Sequence, residues 1–184
     1  MEPRNVEAER FVLYKQVAAG LKRAVKLNRE NHKMITGDAF RAIGAAGLAC
    51  GVMDITAALV VYGSMGLKPL RLLQGIAAGV LGPKAFQGGI GIALFGLALH
   101  FVIAFGAASV YFMASRGMRV LVEQAALFGP LYGIAVYFFM NRIVVPLSGA
   151  TKFPFSLKMM VIGVVIHIFC VGLPIALCIR RFGN

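Results

Sequence analysis

The chain has 184 residues, of which 59% are hydrophobic and only 14% are charged, and its mean hydropathy is +0.81. So few charged residues cannot cover the surface of a water-soluble protein, which excludes the soluble enzyme and soluble binding-protein classes. The net charge of +12 at pH 7 comes without any recognition motif for DNA or RNA, so we expect no nucleic-acid partner.

Residues 1–41 are interpreted as a cytoplasmic basic segment. They carry both charges and lack a short apolar stretch followed by small residues, so they do not resemble a secretory signal. Within this segment, residues 8–33 have apolar side chains at spacings of three and four and basic side chains on another face, which predicts an amphipathic helix. We expect this helix to lie on anionic lipid; a solvated tail is the alternative.

Four apolar stretches, each long enough to cross the roughly 30 Å core of a bilayer as a helix, follow within residues 42–182. They predict an all-α polytopic membrane protein with four transmembrane helices, at about residues 42–63, 88–114, 122–146 and 159–179. Of the 19 Lys and Arg residues, 13 fall on the side of the two termini and six on the opposite side. The positive-inside rule therefore places both termini in the cytoplasm.

A short helix is predicted in the first outer loop. Pro69 suits the first turn of a helix, and Gly82 with Pro83 suits its end. The enclosed residues 70–81 are too few to span a bilayer, so the segment lies either in the outer interface or partway into the membrane as a re-entrant helix.

Small residues recur at four-residue spacing along the predicted spans and indicate faces where helices pack closely. Polar residues fall on the same faces, which points them at other helices rather than at lipid. The packing glycines of these faces are Gly47, Gly51, Gly96, Gly129, Gly133 and Gly163.

Asp54, His100 and His167 are predicted to lie near the membrane midplane, with Tyr137 on a neighbouring face. Three interpretations are open. A buried carboxyl and imidazole both favour their neutral forms, so the cluster could handle a proton. Two histidines and one aspartate could also bind a metal ion, although no paired-ligand spacing supports this. Alternatively, Asp54 accepts hydrogen bonds from a histidine, Thr56 or Tyr137 and only locks the helices together.

A second polar group, Asn141, Arg142 and Ser148, is expected at the outer mouth of the bundle. Arg142 suits an anionic solute or a lipid headgroup, and an arginine that anchors the helix at the interface explains it equally well. The sequence has no nucleophile, nucleotide or metal motif, so we expect no enzyme activity, no cofactor and no bound metal.

Four segments carry a resemblance to small bacterial inner-membrane proteins: "GLACGVMDITAAL", "LFGLALHFVIA", "GPLYGIAVYFFMNRIVVPLS" and "IHIFCVGLPIALCIRRF". The chain resembles four-helix inner-membrane families of unknown activity and is more distantly similar to the YagU-like family, over about residues 42–182. The resemblance implies a bacterial inner-membrane location and a four-span fold, and it brings no catalytic residue.

The leading functional hypothesis is a small proton-linked transport or permeation protein. A membrane scaffold or assembly factor that binds a partner protein or lipid is the alternative, and an integral-membrane enzyme is a distant third. Because four short helices enclose little room, a second copy of the chain or another membrane protein is an expected partner.

Overall fold

A computed structural model describes the main chain of residues 6–150 and 155–183, and side chains in these ranges from Gly37 onward together with those of Lys22 and Lys26. Regular structure in these ranges is helical throughout. The α-helices are α1 (Val6–Ser64), α2 (Pro69–Leu81), α3 (Ile90–Gly117), α4 (Val120–Glu123), α5 (Ala125–Phe139), α6 (Val145–Leu147), α7 (Leu157–Ile166) and α8 (Leu173–Phe182). A 3-10 helix covers Gly82–Gln87, and π-helical segments cover Met140–Val144 and His167–Gly172.

Four helical stretches are long and apolar enough to cross a membrane: Gly37–Ser64, Ile90–Gly117, Ala125–Leu147 and Leu157–Phe182. We refer to them as the first to fourth spans. They correspond to the four predicted stretches, with ends that differ by a few residues, so the predicted fold class is confirmed. The arrangement fits a multi-pass membrane protein.

Residues 1–38 and 39–184 form two units, and the contacts described below lie within the second. The helix predicted over residues 8–33 is part of α1. Among residues 8–33 only Lys22 and Lys26 have described side chains, and both are exposed. The predicted amphipathic face therefore lies outside the described residues.

The predicted short helix of the first outer loop is α2, which begins at Pro69 and ends at Leu81. Gly82 then adopts a φ of 66°, a left-handed conformation that favours glycine, and the chain turns into the 3-10 helix. The Arg71 side chain contacts Phe86 in this 3-10 helix. Its Nη1 donates to the Phe86 carbonyl at 3.0 Å, and its guanidinium lies over the Phe86 ring. We call the end of the bundle that carries α2 the α2 end.

α2 packs against the start of the second span. Its buried face consists of Gln74, Ala77 and Ala78, and Gly96 of α3 lies directly against the Leu73 main chain. The loop after the third span joins the same assembly, because the Gly149 amide donates to the Gly79 carbonyl at 2.9 Å. α2 is therefore fixed both to the second span and to the connection between the third and fourth spans.

The third and fourth spans touch through their main chains. A Cβ atom on Gly129 would lie 3.0 Å from Cα of Leu173, and one on Gly133 would overlap the His167 carbonyl group. From the opposite side, a Cβ on Gly172 would overlap main-chain atoms of Gly129 and Gly133. Three glycines thus bring two backbones into direct contact, which is the packing that small residues permit in membranes.

The first and second spans touch through side chains instead. The Phe105 ring lies against Gly47, and the Phe101 ring lies against Gly51. The buried core continues from there toward the end opposite α2. Its main members are Ala42, Ala46, Cys50, Ala104, Ala108, Tyr111, Ala125, Val171, Ile175 and Ile179.

Two tyrosines hold the core together at that end. Tyr132 of the third span donates its hydroxyl to the Ala107 carbonyl at 2.7 Å, and Tyr111 of the second span donates to the Leu121 carbonyl at 2.8 Å. Their rings meet edge to face with centroids 5.0 Å apart. The Tyr132 bond connects the second and third spans, and the Tyr111 bond connects the second span to α4.

Prolines explain the two π-helical segments. Pro146 and Pro174 each follow the end of a π segment by two residues and cannot donate a main-chain hydrogen bond. The residue before each proline, Val145 or Leu173, donates five residues back, to Met140 or Ile168. Such local widening of the helix is a common response to proline in a span.

Candidate functional site

Asp54, His100, Tyr137 and His167 lie at one level along the bundle. They are ten residues from Ser64, Ile90, Leu147 and Leu157 respectively, which are the ends of the four spans on the α2 side. At about 1.5 Å per residue this distance is about 15 Å, or half the thickness of a bilayer core. All four side chains are half-buried.

His100 connects the second span to the first. Its Nε2 lies 2.9 Å from the carbonyl oxygen of Gly51, and because a carbonyl only accepts, the ring nitrogen is the donor. The absence of a side chain at Gly51 leaves room for this approach and for the Phe101 ring beside it. His100 thus binds the main chain one turn before Asp54 rather than the carboxylate itself.

His167 lies where the third and fourth spans meet. Its Nδ1 donates to the Gly163 carbonyl of its own helix at 2.9 Å. The Tyr137 ring meets the imidazole edge to face at a centroid distance of 5.3 Å and also lies against Gly163. The structure therefore brings Tyr137 and His167 together as an aromatic pair.

The Asp54 carboxylate has no hydrogen bond or ion pair with any residue that the structure describes. It lies within electrostatic range of two thiols, that of Cys50 on its own helix and that of Cys170 on the fourth span. Neither histidine bonds to it, so Asp54, His100 and His167 share a level without forming one hydrogen-bonded cluster. Among the described residues, no group of three or more His, Cys, Asp and Glu is placed to hold a metal ion.

Two of the three polar residues predicted at the outer mouth form hydrogen bonds close to their own positions in the chain. Asn141 donates its side-chain amide to the Tyr137 carbonyl at 3.0 Å, beside the π segment. Ser148 donates to the Val145 carbonyl at 2.9 Å and accepts from the Ala150 amide at 3.2 Å, which closes the end of the third span. Arg142 is exposed.

Gln74 is a polar residue that the sequence reasoning missed. Only 1% of its surface is exposed, and its Nε2 donates to the Gly88 carbonyl in the turn before α3. Its Oε1 is buried and has no hydrogen-bond partner in the part of the chain that the structure describes. A glutamine in a short helix that otherwise consists, apart from Arg71, of apolar residues and glycine was the available signal, since a single amide in such a segment needs an internal partner.

Gly172 was missed as well. The packing glycine predicted for the fourth span was Gly163, whereas a Cβ on Gly172 would overlap main-chain atoms of the third span. The π segment that contains it shifts the helical register, which a regular four-residue spacing does not anticipate.

No protein-family model, curated protein or solved structure matches this chain, so the functional argument depends on the geometry of its own residues.

Proposed function

We propose that the chain is a small proton-linked transport or permeation protein of a bacterial inner membrane, and that Asp54 is the group that takes up the proton. The placement of Asp54 carries this proposal: a half-buried carboxylate ten residues from the α2 end of its span, without a donor among the described residues. Inserting a charged aspartate at that depth costs about 2.5–3.5 kcal/mol, and such residues usually serve ion or proton pathways.

The hydrogen bonds of the two histidines support the same proposal. Each neutral imidazole uses its N–H on a main-chain carbonyl, so His100 presents Nδ1 and His167 presents Nε2 as acceptors. The Asp54 carboxylate also only accepts. Three acceptors and the Tyr137 hydroxyl thus lie at one level, and none of the three acceptors is bonded to another. A proton bound by Asp54 would add a second donor at this level.

The proposed topology has both termini in the cytoplasm and the α2 end outside, because 13 of the 19 basic residues fall on the side of the termini. The basic segment before the first span would then lie on anionic lipid, at about 1 kcal/mol for each basic residue near the surface. A second copy of the chain or another membrane protein would complete any wider pore.

Proton flux into liposomes tests the proposal. The full-length chain is reconstituted with a pH-sensitive dye inside, and internal pH is recorded under an imposed pH gradient, alone and after adding a panel of sugars, amino acids and small organic acids. We expect faster acidification than in protein-free liposomes, loss of this excess in Asp54→Asn, and partial retention in Asp54→Glu, which keeps a carboxyl.

Glu123→Gln is the matched control, because Glu123 is the only other acid after Asp38 and is exposed at the opposite end of the bundle. We expect this variant to behave as the wild type. Wild-type flux equal to that of empty liposomes under every condition, or an Asp54→Asn variant as active as the wild type, would reject the proposal.

A membrane scaffold is the second candidate. It is favoured by the fact that both histidine N–H groups already hold main-chain carbonyls, which is a structural use of these side chains. Absence of flux together with a stoichiometric membrane partner that co-purifies from the native membrane would support the scaffold instead.

A further inference from the structure

The buried amide of Gln74 lies at the start of α3. Its Nε2 donates to the Gly88 carbonyl and is 3.5 Å from the Gly89 carbonyl, and Gly89 is the residue that caps α3. Oε1 is bonded to the same carbon as Nε2 and therefore lies close to the same turn. Because this acceptor has no partner among the described residues, a ligand bound there has to donate a hydrogen bond.

The start of α3 offers unused donors beside this acceptor. Hydrogen bonding within the helix begins with the Ala93 amide, which donates to the Gly89 carbonyl, and no side chain caps the helix. The first-turn amides of α3 are therefore available, and the helix dipole favours negative charge at this position. The first turn is also open, because Gly89 and Gly91 are exposed and a Cβ on either would meet nothing within 4 Å.

The surroundings are positively charged. Arg71, one turn from Gln74 on α2, is held by the Phe86 carbonyl and ring with part of its guanidinium still exposed. Lys68 and Lys84 are exposed in the same loop. The sequence contains no Asp or Glu between residues 55 and 122, so no acid of this loop opposes an anion.

We propose that the α2 end binds a small oxyanion that retains a proton, such as hydrogencarbonate or dihydrogen phosphate, between Gln74, Arg71 and the first turn of α3. The O–H of the ligand donates to Gln74 Oε1, and its charged oxygen accepts from Arg71 and the α3 amides. A fully deprotonated anion would place an acceptor against Oε1 and is disfavoured. The site lies about 15 Å along α3 from His100 and does not depend on proton transfer at Asp54.

Calorimetric titration of the full-length chain in detergent tests this site with two ligand pairs of matched shape. Dihydrogen phosphate is compared with perchlorate at mildly acidic pH, and hydrogencarbonate with nitrate at mildly alkaline pH, at constant ionic strength, so that every ligand carries one negative charge. We expect the proton-carrying member of each pair to bind about tenfold more tightly, the ratio expected for one hydrogen bond to a buried acceptor. Equal affinities within both pairs, or no binding of either protonated anion, would overturn the proposal on the wild-type protein alone.

Variants then assign the preference to Gln74. Gln74→Met has similar size without an acceptor, and we expect it to lose the preference for the proton-carrying member of each pair. Arg71→Gln should weaken both anions together. Lys68→Gln is the control, since it removes a positive charge from the same loop without a described contact to the Gly88–Gly89 turn, and it should keep the preference. A Gln74→Met variant that still prefers dihydrogen phosphate would contradict the assignment. None of these titrations requires flux, so a negative flux result at Asp54 leaves this test unaffected.

Discussion

The third and fourth spans meet main chain to main chain, whereas the first and second spans meet through two phenylalanine rings and one imidazole. Glycines occur at both contacts, but they serve different purposes. Gly129, Gly133 and Gly172 let two backbones touch, and Gly47 and Gly51 make room for rings. A backbone contact cannot adapt without moving a whole helix, while a ring can rotate. We infer that the pair formed by the third and fourth spans is the rigid part, and that Asp54 belongs to the adaptable part.

Gly133→Ala should have the largest effect on the free energy of unfolding. The added methyl group would overlap the His167 carbonyl, and relief requires the third and fourth spans to separate. We expect a loss of about 3 kcal/mol in the free energy of unfolding, at the upper end for overpacked interiors. Thermal unfolding in detergent measures it. Gly106→Ala, whose methyl group would meet nothing within 4 Å, is the control and should leave stability unchanged or raised.

Gly51→Ala should have a smaller effect. The added methyl group meets the Phe101 ring, which can turn away, so we expect a loss of about 1 kcal/mol in the same unfolding measurement. An effect as large as that of Gly133→Ala would mean that the first and second spans are as rigidly packed as the third and fourth.

His100→Phe and His167→Phe compare a hydrogen bond between two spans with a hydrogen bond within one helix. The His100 bond joins two spans, and interhelical hydrogen bonds in membranes contribute about 0.6 kcal/mol on average. The His167 bond lies within one helix, so its removal does not separate helices. We therefore expect His100→Phe to lower the unfolding temperature more than His167→Phe. The reverse order would show that the contact between Tyr137 and His167 stabilises the packing near Asp54 more than the hydrogen bond from His100 to Gly51 does.

The elements predictable from the sequence are those set by local composition. The four spans follow from the length of apolar stretches, and α2 follows from Pro69 and Gly82 at its ends. The common level of Asp54, His100 and His167 also follows from counting residues within spans. Each of these features depends on neighbours in the chain, which a sequence displays directly.

Partners in space were harder to predict. Gly96 was placed on a helix-packing face, and its contact is with α2. Both histidines bind main-chain carbonyls, which are present at every residue and therefore leave no mark in the sequence. The register shift before Pro174 places Gly172 in the contact between the third and fourth spans. Gln74 found its partner in a turn fourteen residues away.

Protonation of Asp54 is the central claim, and infrared difference spectroscopy between mildly acidic and mildly alkaline pH tests it most directly. The reconstituted wild type should show a pH-dependent carboxylic C=O band that is missing in Asp54→Asn and retained in Glu123→Gln. Identical difference spectra for the wild type and Asp54→Asn would contradict the claim that Asp54 takes up a proton.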